Sequence, residues 1–295
     1  MALRTFLANE VSAGDAVRIG GRLEGERVLI PILGLNESVL TDQVRVGMTL
    51  ARATNGRVRI VDPVGEGPDG HWDRTPRTDQ GATVDALAWT QERLEILRDN
   101  GSMGLFASRR IERRIRETVA NEPWDTLVLP AKDTPSSLAS RPLRRLTERP
   151  PCDVISINGE TAFRDFASIL LPIANGPHSG LATDVAAAIA YDLDAELDVL
   201  HVIDPDADAE VRSTAERRID TAVDRTGLSE GVSPWLLEAT DPSRSIVEQS
   251  NYYGLTVIGA PTASRLHQFV YGSTSRVIRD RAESAVLATR TAHNP

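Results

Sequence analysis

Two glycines thirteen residues apart, Gly259 and Gly272, bracket the stretch GAPTASRLHQFVYGST (residues 259–274), and the second runs into Ser273 and Thr274. Residues of these types suit an anion. Glycine lets main-chain N–H groups come close to a phosphate and tolerates φ > 0. A helix N-terminus adds unpaired N–H groups and a partial positive charge, and two hydroxyls add further donors. The strand-like run LTVI precedes the stretch and the helix-like run SRVIRDRA follows it. The same residues therefore also fit a plain strand–loop–helix connection with capping serines and no ligand. Arg265 and His267 lie inside the loop and read either as solvated residues or as phosphate contacts.

Other chemistries find less support. Lys132 is the sole lysine, so a Gly-Lys-Ser/Thr phosphate loop is excluded, as is a Schiff-base lysine elsewhere. The five histidines (His71, His178, His201, His267, His293) form no metal-ligand spacing with Cys or acidic residues. His201, in an apolar run, reads as a satisfied strand histidine. Cys152 is the single cysteine, so no internal disulfide is possible, and it reads as buried and inert. No Gly-x-Ser-x-Gly elbow is present. The net charge of -9 gives a nucleic-acid partner no support. The basic run RIERRIRE (110–117) is interrupted by acids, and Ile111 and Ile115 are spaced for a buried stripe, so it reads as a solvated helix face. No apolar run approaches the ~20 residues of a membrane span. With no N-terminal signal-like segment, a cytosolic protein is expected.

The elements that would position the loop come from an internal repeat. RVLIPILGLNES (27–38) matches SILLPIANGPHS (168–179), each with a serine seven residues after the proline. RVRIVDP (57–63) matches DVLHVIDP (198–205), DTLVLPA (125–131) matches LTVIGAP (255–261), and CDVISI (152–157) matches SAVLAT (284–289). Between these runs, residues 44–53, 84–100, 108–122, 183–193, 210–227 and 242–254 read as helices, and 102–108 and 233–239 as a third strand in each half. Short apolar strands alternating with helices predict an α/β fold with two tandem doubly wound, five-stranded parallel-sheet domains. The halves span 27–158 and 166–291, with residues 1–26 as a lead segment outside the repeat. In such sheets ligands bind beyond the carboxyl ends of the strands, where the loop after the fourth strand faces the loop after the first.

The spacing Gly259, Thr262, nine residues, Gly272-Ser273-Thr274 resembles the G-x2-G-x9-G-(S/T) loop of the nucleotide-binding universal stress proteins (UspA family), with Thr262 in place of the second glycine. LHVID (200–204) and TDPSRSI (240–246) resemble that family's second strand and its third-strand turn. The resemblance is to a tandem, two-domain member. It implies Rossmann-like, adenine nucleotide alpha hydrolase-like domains that pair as an intramolecular pseudo-dimer.

It further implies a cytoplasmic stress-response or regulatory protein whose second half binds ATP or a related adenine nucleotide, with Mg²⁺ accompanying the triphosphate. Gly259, Thr262, Gly272, Ser273 and Thr274 would cradle phosphate and ribose. Ala174, Asn175 and Val202 would line the adenosine end, with Val202 at the position whose backbone meets the adenine. The sequence departs from the pattern at Pro261, which has no N–H, at Thr262, and at Ala174, where the family's binders carry an acid. The first half is poorer. Pro130 stands at the first glycine position and Ser140-Arg141-Pro142 where Gly-Ser-Thr would be, which makes it a degenerate copy. Two alternatives remain open: a ligand-free regulatory pair of domains, for example one associated with a transporter, and a slow nucleotide hydrolase. A homodimer or a protein partner fits either; membrane insertion does not.

Overall fold

The computed structural model describes residues 23–33, 37–62, 72–76, 81–99, 107–130, 146, 150–158, 167–174, 176–260 and 285–292. The first half contributes β1 (Arg27–Pro31), α1 (Glu37–Ala53), β2 (Arg57–Asp62), β3 (Trp72–Arg74), α2 (Ala82–Asp99), α3 (Ala107–Asn121), β4 (Thr126–Pro130) and β5 (Asp153–Asn158). The second contributes β6 (Ser168–Pro172), α4 (Ser179–Leu193), β7 (Glu196–Ile203), α5 (Ala209–Thr226), β8 (Val232–Glu238), α6 (Pro242–Ser250), β9 (Leu255–Gly259) and β10 (Ala285–Arg290).

The strands form one ten-stranded sheet in the order β3-β2-β1-β4-β5-β10-β9-β6-β7-β8. Within the second half every pairing is parallel, as the near-continuous apolar strands require: Ile169, Leu170 and Leu171 are all fully buried, so helices or chain must cover both faces. Where the halves meet, β5 and β10 pair antiparallel, from Val154 beside Arg290 to Asn158 beside Val286. The pseudo-dimer is thus a single continuous sheet.

The first half differs from expectation at its edge. The strand beside β2 is Trp72–Arg74, and it runs antiparallel. Of the stretch 102–108 expected as a third strand, residues 102–106 lie outside the described residues, and Ala107 and Ser108 open α3. Residues 23–26 of the expected lead segment are joined to the first half. Leu23 is buried in the core, and the Glu26 carboxylate accepts from the Thr126 hydroxyl.

Four helices, α2, α1, α4 and α5, cover one face in a row that crosses the seam. The alanine run of α4 is the reason α1 can come close: Ala186, Ala187, Ala188 and Ala190 are all buried. At the ends of these two helices Arg52 bonds Asp192 through two nitrogens, at 3.2 and 2.7 Å, and also reaches the Thr83 hydroxyl of α2 at 2.9 Å. Beneath the row lies one hydrophobic core shared by both halves, with Val28, Ile30 and Ile155 from the first and Ile169, Leu171 and Leu287 from the second. A smaller cluster on the other face of the first half packs Ile111 and Ile115 of α3 against Leu127 and Leu129, with Cys152 at its margin. Burial pushes the Cys152 thiol up to about 12, which keeps it protonated and unreactive. Arg113 on the outer face of α3 is well exposed beside Glu117, so this basic helix is a solvated face as expected. Among the described residues no helix is long and apolar enough to cross a membrane.

Candidate functional site

The carboxyl ends of β9, β6 and β7 lie side by side, and β6 is where the chain's crossovers diverge to left and right. The chain leaving β6 stays with β7 for one more bond, from the Ile173 N–H to the Leu200 carbonyl at 2.8 Å. It then turns into α4. The Ala174 carbonyl accepts from the Gly176 N–H at 2.9 Å and from the Ser179 hydroxyl at 2.6 Å. Ser179 therefore spends its hydroxyl on closing this turn. The His201 ring, buried at the same level, donates from Nδ1 to the Ile173 carbonyl at 2.9 Å, which makes it the satisfied strand histidine expected from sequence.

β7 does not stop there. It remains paired with β8 through Ile203 beside Glu238, and the Ile203 carbonyl accepts from Ala239 N–H at 2.9 Å. Along a strand, main-chain groups of successive residues point to opposite neighbours. Leu200 faces β6 and Ile203 faces β8, so the Val202 N–H and C=O point to the β6 side, past the end of that strand at Pro172. An adjacent donor and acceptor on an exposed strand edge is the arrangement that recognises a planar heterocycle with an acceptor beside a donor. Ala174, past the end of β6, is exposed.

Gly259 closes β9 against the start of α4. A Cβ there would stand 2.9 Å from the His178 carbonyl carbon, 3.0 Å from its oxygen and 3.0 Å from the Ser179 nitrogen. The glycine is required by this close approach of two backbones, whatever it does for a ligand. Ala260 follows, donating to the Thr289 carbonyl at 2.7 Å. Asn175, Thr262, Gly272, Ser273 and Thr274 lie outside the described residues, as do Pro261, Arg265 and His267. Of the sequence-predicted site residues, the structure thus brings Ala174, Val202 and Gly259 to one edge of the sheet. Sequence reasoning passed over His178, the residue that caps α4 and carries Gly259; its only signal was its place directly before Ser179. Among the described residues no group of three His, Cys, Asp or Glu is arranged to hold a metal ion.

The strand register aligns the first half with the second residue by residue. Register places Pro130 where the second half has Gly259, since Val28 lies beside Thr126 as Ile169 lies beside Leu255. Val61 lies beside Pro31 as Leu200 lies beside Pro172. Asp62 is therefore the counterpart of His201, and the matching Asp-Pro pairs of the sequence do not coincide in space. The residue that follows Asp62 in sequence, as Val202 follows His201, is Pro63, which has no N–H to offer and lies outside the described residues. The counterpart of Ala174 is Leu33, which packs with Val61 against the smaller core. Asp62 itself is buried in an ion pair with Arg93 of α2 at 3.1 Å.

The model of the universal stress protein family matches residues 166–290. The second half is a universal stress protein domain. Solved structures extend the fold over most of the chain. A universal stress protein from Archaeoglobus fulgidus DSM 4304 is 13% identical with a TM-score of 0.51, covering 92% of this chain and 99% of its own. The cytoplasmic domain of a prokaryotic cation chloride cotransporter, also 13% identical, has a TM-score of 0.53 and covers 90% of this chain and 95% of its own. A universal stress protein solved in complex with cAMP covers 44% of this chain and 100% of its own at 19% identity and a TM-score of 0.35. Comparison with curated proteins gives no match. At such identities the first two likenesses carry the tandem universal stress protein fold and nothing finer.

Proposed function

We propose that the second half binds an adenine nucleotide, ATP foremost, and that the protein acts in the cytoplasm as a stress-response regulator through the bound or empty state of that site. The observation that carries this reading is the turned-out main chain of Val202, whose N–H and C=O complement the adenine edge. Ala174 and Asn175 line the adenosine end. Gly259 sets the loop in place, and Thr262, Gly272, Ser273 and Thr274 receive ribose and phosphate, with Mg²⁺ on the triphosphate. These residues fit the group in kind: main-chain donors and hydroxyls suit phosphate. The first half serves as a scaffold, because Pro63, Leu33 and Pro130 remove the donor, the space and the glycine. The edges that two single-domain copies would use to pair are already joined as β5 and β10.

Gly272→Val is the test of the site assignment. The variant is expected to keep the wild-type circular dichroism spectrum and to lose ATP binding by calorimetry. Unchanged affinity in the folded variant refutes the assignment. One observation favours a second reading, a ligand-free regulatory pair: Ala174 has no polar side chain. Wild-type protein that takes up no nucleotide would establish it. ATP turnover that scales with protein and vanishes in Gly272→Val would instead make this a slow hydrolase.

A further inference from the structure

His178 stands where three ends of the second half converge. Its backbone supports Gly259, at the mouth of the candidate loop. Its carbonyl accepts the first helical bond of α4, from Ala182 N–H at 3.1 Å. Its ring reaches past β9 to the tail of β10, where Nδ1 accepts from the Thr291 N–H at 3.2 Å and lies 2.8 Å from the Thr291 hydroxyl. A nitrogen that accepts a main-chain N–H carries no proton, so the ring is the neutral tautomer with its hydrogen on Nε2. One residue further, Ala292 N–H donates to Asp153 of β5 at 2.6 Å. The ring therefore ties the start of α4 to the strand that joins the halves.

We propose that His178 is a positioning residue of the second-half site, a latch that holds the N-terminus of α4 and Gly259 in register with β10 while its ring is neutral and lets go when the ring is protonated. Protonation puts a hydrogen on Nδ1, which ends the bond from the Thr291 N–H and leaves only the Thr291 hydroxyl, at 2.8 Å, to accept it, and it sets a positive charge at a helix N-terminus, where the dipole disfavours it. The charged groups facing the ring act in both directions. Burial opposes protonation most strongly, Arg290 of β10 opposes it further and Asp153 of β5 favours it, and the ring titrates below its ordinary range. The sign follows. A histidine disfavoured as a cation in the folded state contributes fully above its unfolded value of ~6.5 and loses that contribution as pH falls through the lower folded value. No part of this needs an aspartate at Ala174.

The latch rests on the nucleotide reading only for its consequence on affinity, so two readouts separate them. Hydrogen exchange at the Thr291 and Ala260 amides is followed from about pH 7.5 down to about pH 4.5, a range that reaches ~2 units below the ordinary histidine value, in the wild type and in His178→Asn. Asparagine keeps an acceptor at the δ position and a good helix cap but cannot be protonated. Beyond the intrinsic pH dependence of exchange, wild-type protection at both amides is expected to fall by about tenfold over this window, and His178→Asn protection to stay level. ATP affinity measured by calorimetry over the same window is expected to fall in parallel in the wild type and to follow only ATP's own titration in the variant. Level protection in the wild type, or an identical fall in His178→Asn, overturns the latch. Protection that falls as expected in a chain that binds no ATP at either pH supports the latch and refutes the nucleotide reading.

Discussion

Gly259→Val is expected to unseat the second half's site and to destabilise the fold together. The added side chain meets backbone, at 2.9 to 3.0 Å from His178 and Ser179, and backbone cannot swing aside as a flexible side chain does. The end of β9 and the start of α4 must part. Overpacking of this kind costs about 1–3 kcal/mol, read as a shift in the midpoint of urea unfolding. ATP affinity should fall at the same time, because the loop that begins at Gly259 and the turn at Ala174 share this junction. Gly176→Ala is the control. The nearest atom to its new Cβ is the Ser179 hydroxyl at 3.8 Å, so its stability should stay within ~0.5 kcal/mol of wild type. A Gly259→Val protein as stable as wild type would mean that the two backbones do not approach as described.

Arg93→Ala should produce the largest loss of stability. The Arg93 side chain is 5% exposed and Asp62 is fully buried. Removing the cation takes the Arg93 ion pair from a fully buried carboxylate, which costs about 3–5 kcal/mol. Replacing both partners together, Arg93→Met with Asp62→Leu, should recover most of it, since a buried pair is near break-even against apolar residues of similar volume. Arg93 is in the first half, yet the whole chain should feel its loss. The core beneath α1 and α4 is one cluster, and the sheet is continuous through β5 and β10. Urea unfolding followed by circular dichroism should therefore show one transition moved to lower denaturant. Two transitions, with the second unmoved, would show that the halves fold independently.

Much of this architecture was legible in the sequence because its signals are local. Ile111 and Ile115 sit one helical turn apart and both are buried. Gly227 ends α5 in the left-handed conformation, as a glycine after a helical run should. Asp241-Pro242 opens α6 with a side-chain cap on the Arg244 N–H. What escaped depends on which strand lies beside which. Asp62-Pro63 and Asp204-Pro205 look alike because each marks the end of a strand, but β7 runs past the level at which β2 stops. Only the pairing of Pro31 with Val61 and of Pro172 with Leu200 reveals it. The antiparallel edge strand Trp72–Arg74 lies in GPDGHWDRTP, a stretch whose glycines and prolines read as loop. Val202 was singled out by resemblance alone. Its value lies in the direction of its peptide groups, which no side chain reports. His178 stayed unread for the opposite reason: its partner, Thr291, is 113 residues away.

The two halves differ above all in one residue type: Val202 of the second carries a main-chain N–H where the corresponding sequence position of the first is a proline, Pro63. The most direct test is the identity and number of small molecules released when freshly purified protein is denatured, measured by mass spectrometry and completed by calorimetric titration of the emptied chain with ATP. One adenine nucleotide per chain is the predicted result. Two per chain would contradict the reading of the first half as a degenerate copy, and none, with no heat on adding ATP, would contradict the nucleotide site itself.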